Sequence, residues 1–185
     1  AIATLFPESL SDKPVTYSGD LNLFFSQIKT EQDGDIEIFV PGGLVNAGLA
    51  SASTLAKEGS ELGIVTVGGG DVLAYVKNDF LVNQSRIFTL GGDNILIWSA
   101  DGNIDAGRGA KTTSATPPPQ ARIKDGQILF DISGSIAGSG IGVLLTRDDI
   151  VPGDVDLIAP RGEINAGDAG IRSVGNLSIA ALRVV

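Results

Sequence analysis

One phrase of this sequence occurs three times, and it limits the possible folds more than any other feature. The copies begin at Asp35, Asn94 and Asp154, align from end to end without a gap, and follow one another at nearly equal offsets. Shorter echoes of the phrase lie between them, including Asp71–Val76 and Gln127–Ile132. Such repetition predicts a stack of similar structural units, each about 15 to 25 residues long. The distance from one copy of the phrase to the next would then span three units.

Within each copy, apolar residues alternate with other residues in the way that marks a strand with one buried face. In the first copy Ile36, Ile38 and Val40 are expected to point inward, and Glu37 and Phe39 outward. A sandwich or barrel gives no reason to copy a phrase at a long, fixed spacing. A stack of repeated units does require such copies, because each side chain lies on its counterpart in the next unit. The sequence therefore predicts an all-β protein folded as a parallel β-helix, a solenoid.

Two stretches do not fit the strand pattern and are expected to leave the stack as loops. The first, at about 108–126, includes Pro117, Pro118 and Pro119, which cannot donate hydrogen bonds to a sheet. The second is shorter and lies at about 144–153. We expect residues 1–19 to pack along one side of the rod, and residues 20–185 to form the coils and these two excursions.

Composition excludes several classes of function. The 185 residues include no histidine and no cysteine, which removes histidine-based catalytic triads, thiolate nucleophiles and the common zinc sites. The formal net charge of −9 disfavours a nucleic-acid partner. No apolar run reaches the roughly 18 to 20 residues of a membrane-spanning helix. We expect no cofactor and no bound metal, and no transmembrane segment in this part of the protein.

Several residues are candidates for a ligand or partner surface. Trp98 occupies an outward position, where it would either stack on a sugar ring or be covered by a neighbouring segment. Acidic β-helices include enzymes that cleave polysaccharides with paired carboxylates. For the carboxylates of the loop at about 144–153, however, a solvated surface is the favoured interpretation. The candidate surface residues are Trp98, Arg108, Lys111, Arg147, Asp148 and Asp149.

Two kinds of residue at predicted corners could either bind a ligand or stabilise the backbone of the corner. The strings Gly68–Asp71 and Gly91–Asn94 resemble single calcium-binding turns, but such turns must recur in tandem, so glycines that allow positive φ are the favoured interpretation. Asn46, Asp105 and Asn165 share an outward position. At a spacing of three coils they would lie about 14 Å apart. We therefore expect them to cap backbone groups at corners and not to bond to one another.

Three strings carry a resemblance to a known family. Trp98–Thr112, Pro152–Arg172 and Leu5–Leu10 are similar to the C-terminal region of large filamentous-haemagglutinin-like exoproteins. The resemblance implies a right-handed parallel β-helix from the shaft or C-terminal region of a two-partner-secretion adhesin. It also implies a Gram-negative bacterium that displays the protein on its surface, at the outer membrane, or secretes it.

The resemblance implies partners as well, and it supplies no catalytic residues. An outer-membrane transporter would act during export, neighbouring coils of the parent chain would pack against this one, and a host receptor or an exopolysaccharide would be the ligand. We therefore expect a non-enzymatic structural or adhesive segment that contributes to attachment, aggregation or biofilm. The alternative is a carbohydrate-binding or carbohydrate-active β-helix resembling polysaccharide lyases and glycosidases.

Overall fold

The computed structural model describes residues 17–51, 57, 61–108, 138–146 and 149–185 in full, and residues 120–124 and 127–131 by their backbone. These parts are all-β with almost no helix, as predicted. Within them, no helix has the length and apolar character needed to cross a membrane. The strands, in chain order, are β1 (Leu21–Asn22), β2 (Gln27–Thr30), β3 (Ile36–Val40), β4 (Val45–Asn46), β5 (Gly63–Thr66), β6 (Val72–Val76), β7 (Phe80–Leu81), β8 (Arg86–Thr89), β9 (Ile95–Ser99), β10 (Ile104–Asp105), β11 (Gln120–Lys124), β12 (Gln127–Asp131), β13 (Gly140–Val143), β14 (Val155–Asn165), β15 (Ile171–Arg172) and β16 (Leu177–Val184).

The strands form three parallel rows, which we call rows A, B and C. Row A contains β1, β4, β7 and β10, row B contains β2, β5, β8, β13 and β15, and row C contains β3, β6 and β9. The longer strands β14 and β16 pass through row C and then row A, so that these two rows belong to one sheet. The described chain visits rows A, B and C in that order five times, and we call each visit a repeat.

The inward side chains of the three rows form one continuous apolar core. Ile97 of row C, Ile87 of row B and Ile104 of row A are fully buried within it. In β3, Ile36, Ile38 and Val40 are buried while Glu37 is exposed, so the predicted alternation is confirmed. The stack is therefore held by aliphatic side chains that lie on their counterparts in neighbouring repeats.

The spacing of the repeats differs from the prediction. Equivalent residues at the start of row C are separated by 36, 23, 60 and 22 positions in successive repeats. Ile36 aligns with Val72 and Val72 with Ile95, so the first offset between copies spans two repeats. Ile95 aligns directly with Val155, so the second offset spans a single repeat. The division of both offsets into three coils was wrong because long segments are inserted between strands of the second and fourth repeats.

One pair of strands lies outside the three rows. β11 and β12 pair with each other in antiparallel register and form a separate two-stranded sheet. The echo at Gln127–Ile132 predicted another strand of the stack, and Gln127–Asp131 instead forms the second strand of this hairpin. Residues 1–16 and Pro117–Pro119, which also carry predictions, lie outside the described residues.

A ladder of Asp and Asn side chains joins the repeats at the corner before row C. In each step the side-chain oxygen of one repeat accepts the backbone N–H of the equivalent residue in the next, over 2.7 to 2.9 Å. The members of this corner ladder are Asp35, Asp71, Asn94, Asp154 and Asn176. Its last step, from Asn176 to Asp154, holds the pKa of the Asp154 carboxyl below its ordinary value, chiefly through the backbone hydrogen bond. Backbone N–H groups that would otherwise lack a hydrogen-bond acceptor at the corner thus have one.

The middle strands of row B, β5, β8 and β13, are buried on their outer face as well as their inner face. Val65, Phe88 and Leu90 form a second apolar cluster there, separate from the main core. Arg86 is fully buried on the same strand as Phe88, with its guanidinium carbon 5.6 Å from the centre of that ring. Burial lowers the pKa of Arg86 to about 10, which leaves the side chain charged at neutral pH. Row C is more open than these strands, since its outward residues Glu37 and Trp98 are exposed.

Candidate functional site

The outward side of row C carries a column of large apolar side chains. Phe39, Tyr75, Trp98 and Ile158 are register partners on consecutive strands. The rings of Phe39 and Tyr75 are stacked, with centroids 5.4 Å apart and planes 10° from parallel. Trp98 retains 39% of its accessible surface. The parallel register brings these residues together, although they lie far apart in the sequence.

An open groove of about 410 Å³ follows this column. Its lining is almost entirely aromatic and aliphatic, apart from the side chain of Lys77: Phe39, Pro41, Tyr75, Val76, Lys77, Trp98 and Ala100. Strands β3, β6 and β9 fix its wall, because their inward residues are anchored in the core. The groove therefore combines a rigid base with exposed ring surface, the features of a binding site for a ligand with an apolar face.

Charged side chains lie beside the groove. Lys77 forms an ion pair with Asp101, and Arg161 Nη1 lies 2.6 Å from the Asp101 Oδ1 atom. The hydrogen bond and charge of Lys77, followed by those of Arg161, lower the pKa of the Asp101 carboxyl, although its desolvation opposes the shift. One carboxylate is thus shared by two cations, and this cluster carries a net positive charge in a chain whose net charge is −9.

The structure separates the predicted surface residues. Trp98 lies in the middle of row C and lines the groove. Arg108 is exposed just beyond row A, where its backbone N–H donates to the Asn83 carbonyl over 3.1 Å. Asp149 is exposed between rows B and C. Of the described candidates, only Trp98 belongs to the groove, and the remaining three lie outside the described residues: Lys111, Arg147 and Asp148.

The predicted corner capping by Asn46, Asp105 and Asn165 is confirmed. Each side-chain oxygen accepts the backbone N–H two residues later, over 3.3, 2.7 and 2.7 Å respectively. The predicted spacing was wrong, because Asp105 and Asn165 are direct register partners and so lie about one strand spacing of 4.8 Å apart. These residues therefore shape corners.

The glycine-rich strings also form corners. Gly69, Gly70 and Gly92 have φ of +145°, +105° and +85°, which favours glycine over residues with a Cβ. Burial, followed by repulsion from Asp71 and Asp33, raises the pKa of Asp93 at this corner, although a backbone hydrogen bond from Gly70 opposes the rise. In the part of the chain that the structure describes, no three carboxylates, histidines or cysteines are grouped so as to hold a metal ion.

Sequence reasoning missed Tyr75 and Lys77 as groove residues. The signal was present, since Asp71–Val76 aligns with Asp35–Val40 and places Tyr75 opposite Phe39. Lys77 follows that phrase directly. It could not be assigned to the groove until the parallel register was known.

Residues 91–185, just over half of the chain, match the family model described as "Filamentous haemagglutinin family outer membrane protein". No curated protein matches the chain, and no solved structure does.

Proposed function

Because this chain belongs to the filamentous haemagglutinin family of outer membrane proteins, we propose that it is a non-enzymatic structural segment of a large adhesin. We place that adhesin on the surface of a Gram-negative bacterium, secreted by the two-partner route. In this role the segment contributes stiffness, length and an exposed side surface to attachment, aggregation or biofilm formation.

The proposal includes a right-handed parallel β-helix as the fold. The observation that carries it is the repeated order of rows A, B and C, with parallel register kept through five repeats. Such a stack grows along one axis by one strand spacing per repeat, about 4.8 Å. A protein built in this way gains length by adding repeats, while the width of its core stays the same.

The proposed role is tested by removing residues 17–185 in frame from the protein of the bacterium that carries it. We expect the truncated protein to reach the surface and attachment or aggregation to fall. An antibody against another part of the protein measures surface display, and so separates lost export from lost adhesion. Normal attachment with normal display would contradict the role, and an X-ray structure of the chain tests the handedness directly.

The groove on row C favours a second candidate function, carbohydrate binding. Trp98 offers exposed ring surface, and Lys77 adds a cation at the margin. Pyranose rings present C–H faces that pack on aromatic rings, and acidic sugars also present carboxylates. This combination of surfaces suits an acidic polysaccharide better than a neutral one.

Titration of the purified chain with alginate and with dextran tests this second function. We expect alginate to bind more tightly and Trp98→Ala to weaken binding. Phe24→Ala is the matched control, because Phe24 is 44% exposed and is not part of the groove. Binding that survives Trp98→Ala, or is lost equally in Phe24→Ala, would exclude the groove as the site.

A further inference from the structure

The outward face of row C consists of three columns of side chains that run from repeat to repeat. Register partners share a column, and neighbouring columns are two residues apart along each strand. The central column is apolar and contains Phe39, Tyr75, Trp98 and Ile158. The column before it contains Glu37, Leu73, Leu96 and Asp156. The column after it contains Pro41, Lys77, Ala100 and Pro160.

The two sides of this face carry opposite charges. On one side lie the carboxylates of Glu37 and Asp156, and no described side chain forms an ion pair with either of them. On the other side Lys77 and Arg161 share the single carboxylate of Asp101, and the Arg161 side chain is 74% exposed. One side therefore has negative charge to offer a partner, and the other side has an excess of positive charge.

This distribution of charge fits a second copy of the chain. A polyanion laid over the whole face would be attracted by Arg161 and repelled by Glu37 and Asp156. A second copy carries both signs and can set each beside the opposite one. Its apolar column would also cover Trp98, which a single chain leaves 39% exposed. The occupant that complements the whole face is therefore another copy.

Two orientations place the face on its own copy, and the charges distinguish them. With a two-fold axis parallel to the strands, the stacks run in opposite directions and Glu37 faces Asp156 of the second copy. With the axis parallel to the stack, the stacks run in the same direction and the outer columns exchange sides. Asp156 then lies level with Arg161 of the second copy, and Glu37 lies one repeat, about 4.8 Å, from the level of Lys77. The first orientation opposes like charges, whereas the second pairs opposite ones.

We propose that two copies of this chain pack side by side through row C, with their stacks parallel and a two-fold axis between their central columns. Trp98 of each copy becomes buried, Asp156 pairs with Arg161 and Glu37 pairs with Lys77. In the proposed adhesin, chains displayed by one cell extend in the same direction, so this contact bundles neighbours on that cell. That last step alone rests on the proposed function.

Sedimentation equilibrium of the purified chain without polysaccharide tests the proposal independently of the attachment and alginate experiments. We expect a monomer–dimer equilibrium that weakens as the salt concentration rises. Asp156→Lys and Arg161→Glu should each raise the dissociation constant by at least about tenfold, and combining them should recover most of the lost affinity. Arg108→Glu is the matched control, since Arg108 is exposed just beyond row A.

Three results would overturn the proposal. The first is a strict monomer at the highest soluble concentration. The second is a dimer that both single charge variants form as tightly as the unmodified chain. The third is a loss of affinity of equal size in the Arg108→Glu control. Circular dichroism of each variant shows whether a lost dimer is a lost fold.

Single cysteines report the orientation, because the chain has none of its own. In the parallel arrangement Ile158 faces its own copy, while Phe39 lies three repeats, about 14 Å, along the stack. A bis-maleimide that spans about 10 Å, the spacing of packed sheets, should therefore join Ile158→Cys to itself. It should not join Ile158→Cys to Phe39→Cys in a mixture. Preferential joining of these two variants would show antiparallel stacks and contradict the proposal.

Discussion

The backbone N–H of Asn94 donates to the side-chain oxygen of Asp71 over 2.8 Å. Asn94 in turn accepts the backbone N–H of Asp154 over 2.9 Å. One exposed residue thus links three repeats, and the second of these links joins residues that are distant in the sequence. The corner ladder thus joins the repeats by hydrogen bonds at the exposed corner, outside the apolar core.

We expect Asn94→Ala to destabilise the chain by about 1 to 2 kcal/mol, the usual net value of one or two lost hydrogen bonds. Asn94→Asp keeps an oxygen that can accept the N–H of Asp154, but it puts a second carboxylate where the Asn94 amide donates to Asp71 Oδ1 over 3.1 Å. Its cost should therefore be larger at neutral pH than at acidic pH, where the carboxyls become neutral. Urea unfolding followed by circular dichroism measures both changes. Equal stability of Asn94→Ala and the unmodified chain would show that the ladder contributes nothing.

Two glycines with similar φ angles allow the cost of backbone strain to be separated from the cost of a steric clash with a neighbouring repeat. Gly107 has φ of +96°, and a Cβ there would lie 2.0 Å from the Asn83 carbonyl oxygen. Gly170 has φ of +88°, with no atom within 4 Å of such a Cβ. We expect Gly170→Ala to cost about 1 to 2 kcal/mol from backbone strain alone. Gly107→Ala should cost about 3 kcal/mol or more, because the backbone must also move.

Thermal or urea unfolding of the two glycine variants gives the comparison. If Gly107→Ala were no less stable than Gly170→Ala, the close approach of the neighbouring repeats at this corner would be excluded. Gly34→Ala serves as a third variant, since Gly34 lacks a positive φ and a Cβ there would have its nearest neighbours at 3.9 Å. Its stability should change little.

The raised pKa of Asp93 predicts a pH-dependent gain from its replacement. A carboxyl whose pKa is higher in the folded state binds protons more readily there, so its ionisation weakens the fold as pH rises. Asp93→Asn removes that charge and should raise the melting temperature at neutral pH. The difference should shrink as pH falls through the pKa of Asp93, where the unmodified carboxyl also becomes neutral.

Melting curves from neutral to acidic pH test this expectation. Asp168→Asn provides a control for the loss of one negative charge from the whole chain, because Asp168 is exposed. A gain of the same size in both variants would assign the effect to net charge and not to the corner around Asp93.

Phe80 is the largest fully buried apolar side chain of row A, between Val45 and Ile104. Phe80→Ala is expected to cost about 3 to 5 kcal/mol, because it leaves a cavity that the rigid rows cannot close. Phe80→Leu should cost less, since it removes less volume. Urea unfolding measures the order of the two variants, and the reverse order would contradict tight packing of this row.

Much of the fold followed from the sequence. The alternation in the copies beginning at Asp35, Asn94 and Asp154 predicted which side chains point inward, because side-chain direction in a strand depends only on local spacing. Corner capping by Asn46, Asp105 and Asn165 was also predicted, since an Asn or Asp oxygen readily accepts a backbone N–H two residues away.

The number of repeats between copies could not be predicted in the same way. An insertion between two strands changes the sequence distance without changing the register, so two nearly equal offsets correspond to different numbers of repeats. The corner ladder and the groove were missed for the same reason. Asn94 and Asp154, or Tyr75 and Trp98, are seen as neighbours only when the strand partners are known.

Both long insertions fall at one corner of the stack, between row A and row B. There β4 and β5 are separated by residues 47–62, and β10 and β13 by residues 106–139, whereas β7 and β8 are separated only by residues 82–85. The flanking strands keep the same parallel register in all three cases. This corner is thus a permissive site for sequence change. Length can therefore vary at this corner while the register of the flanking strands is kept.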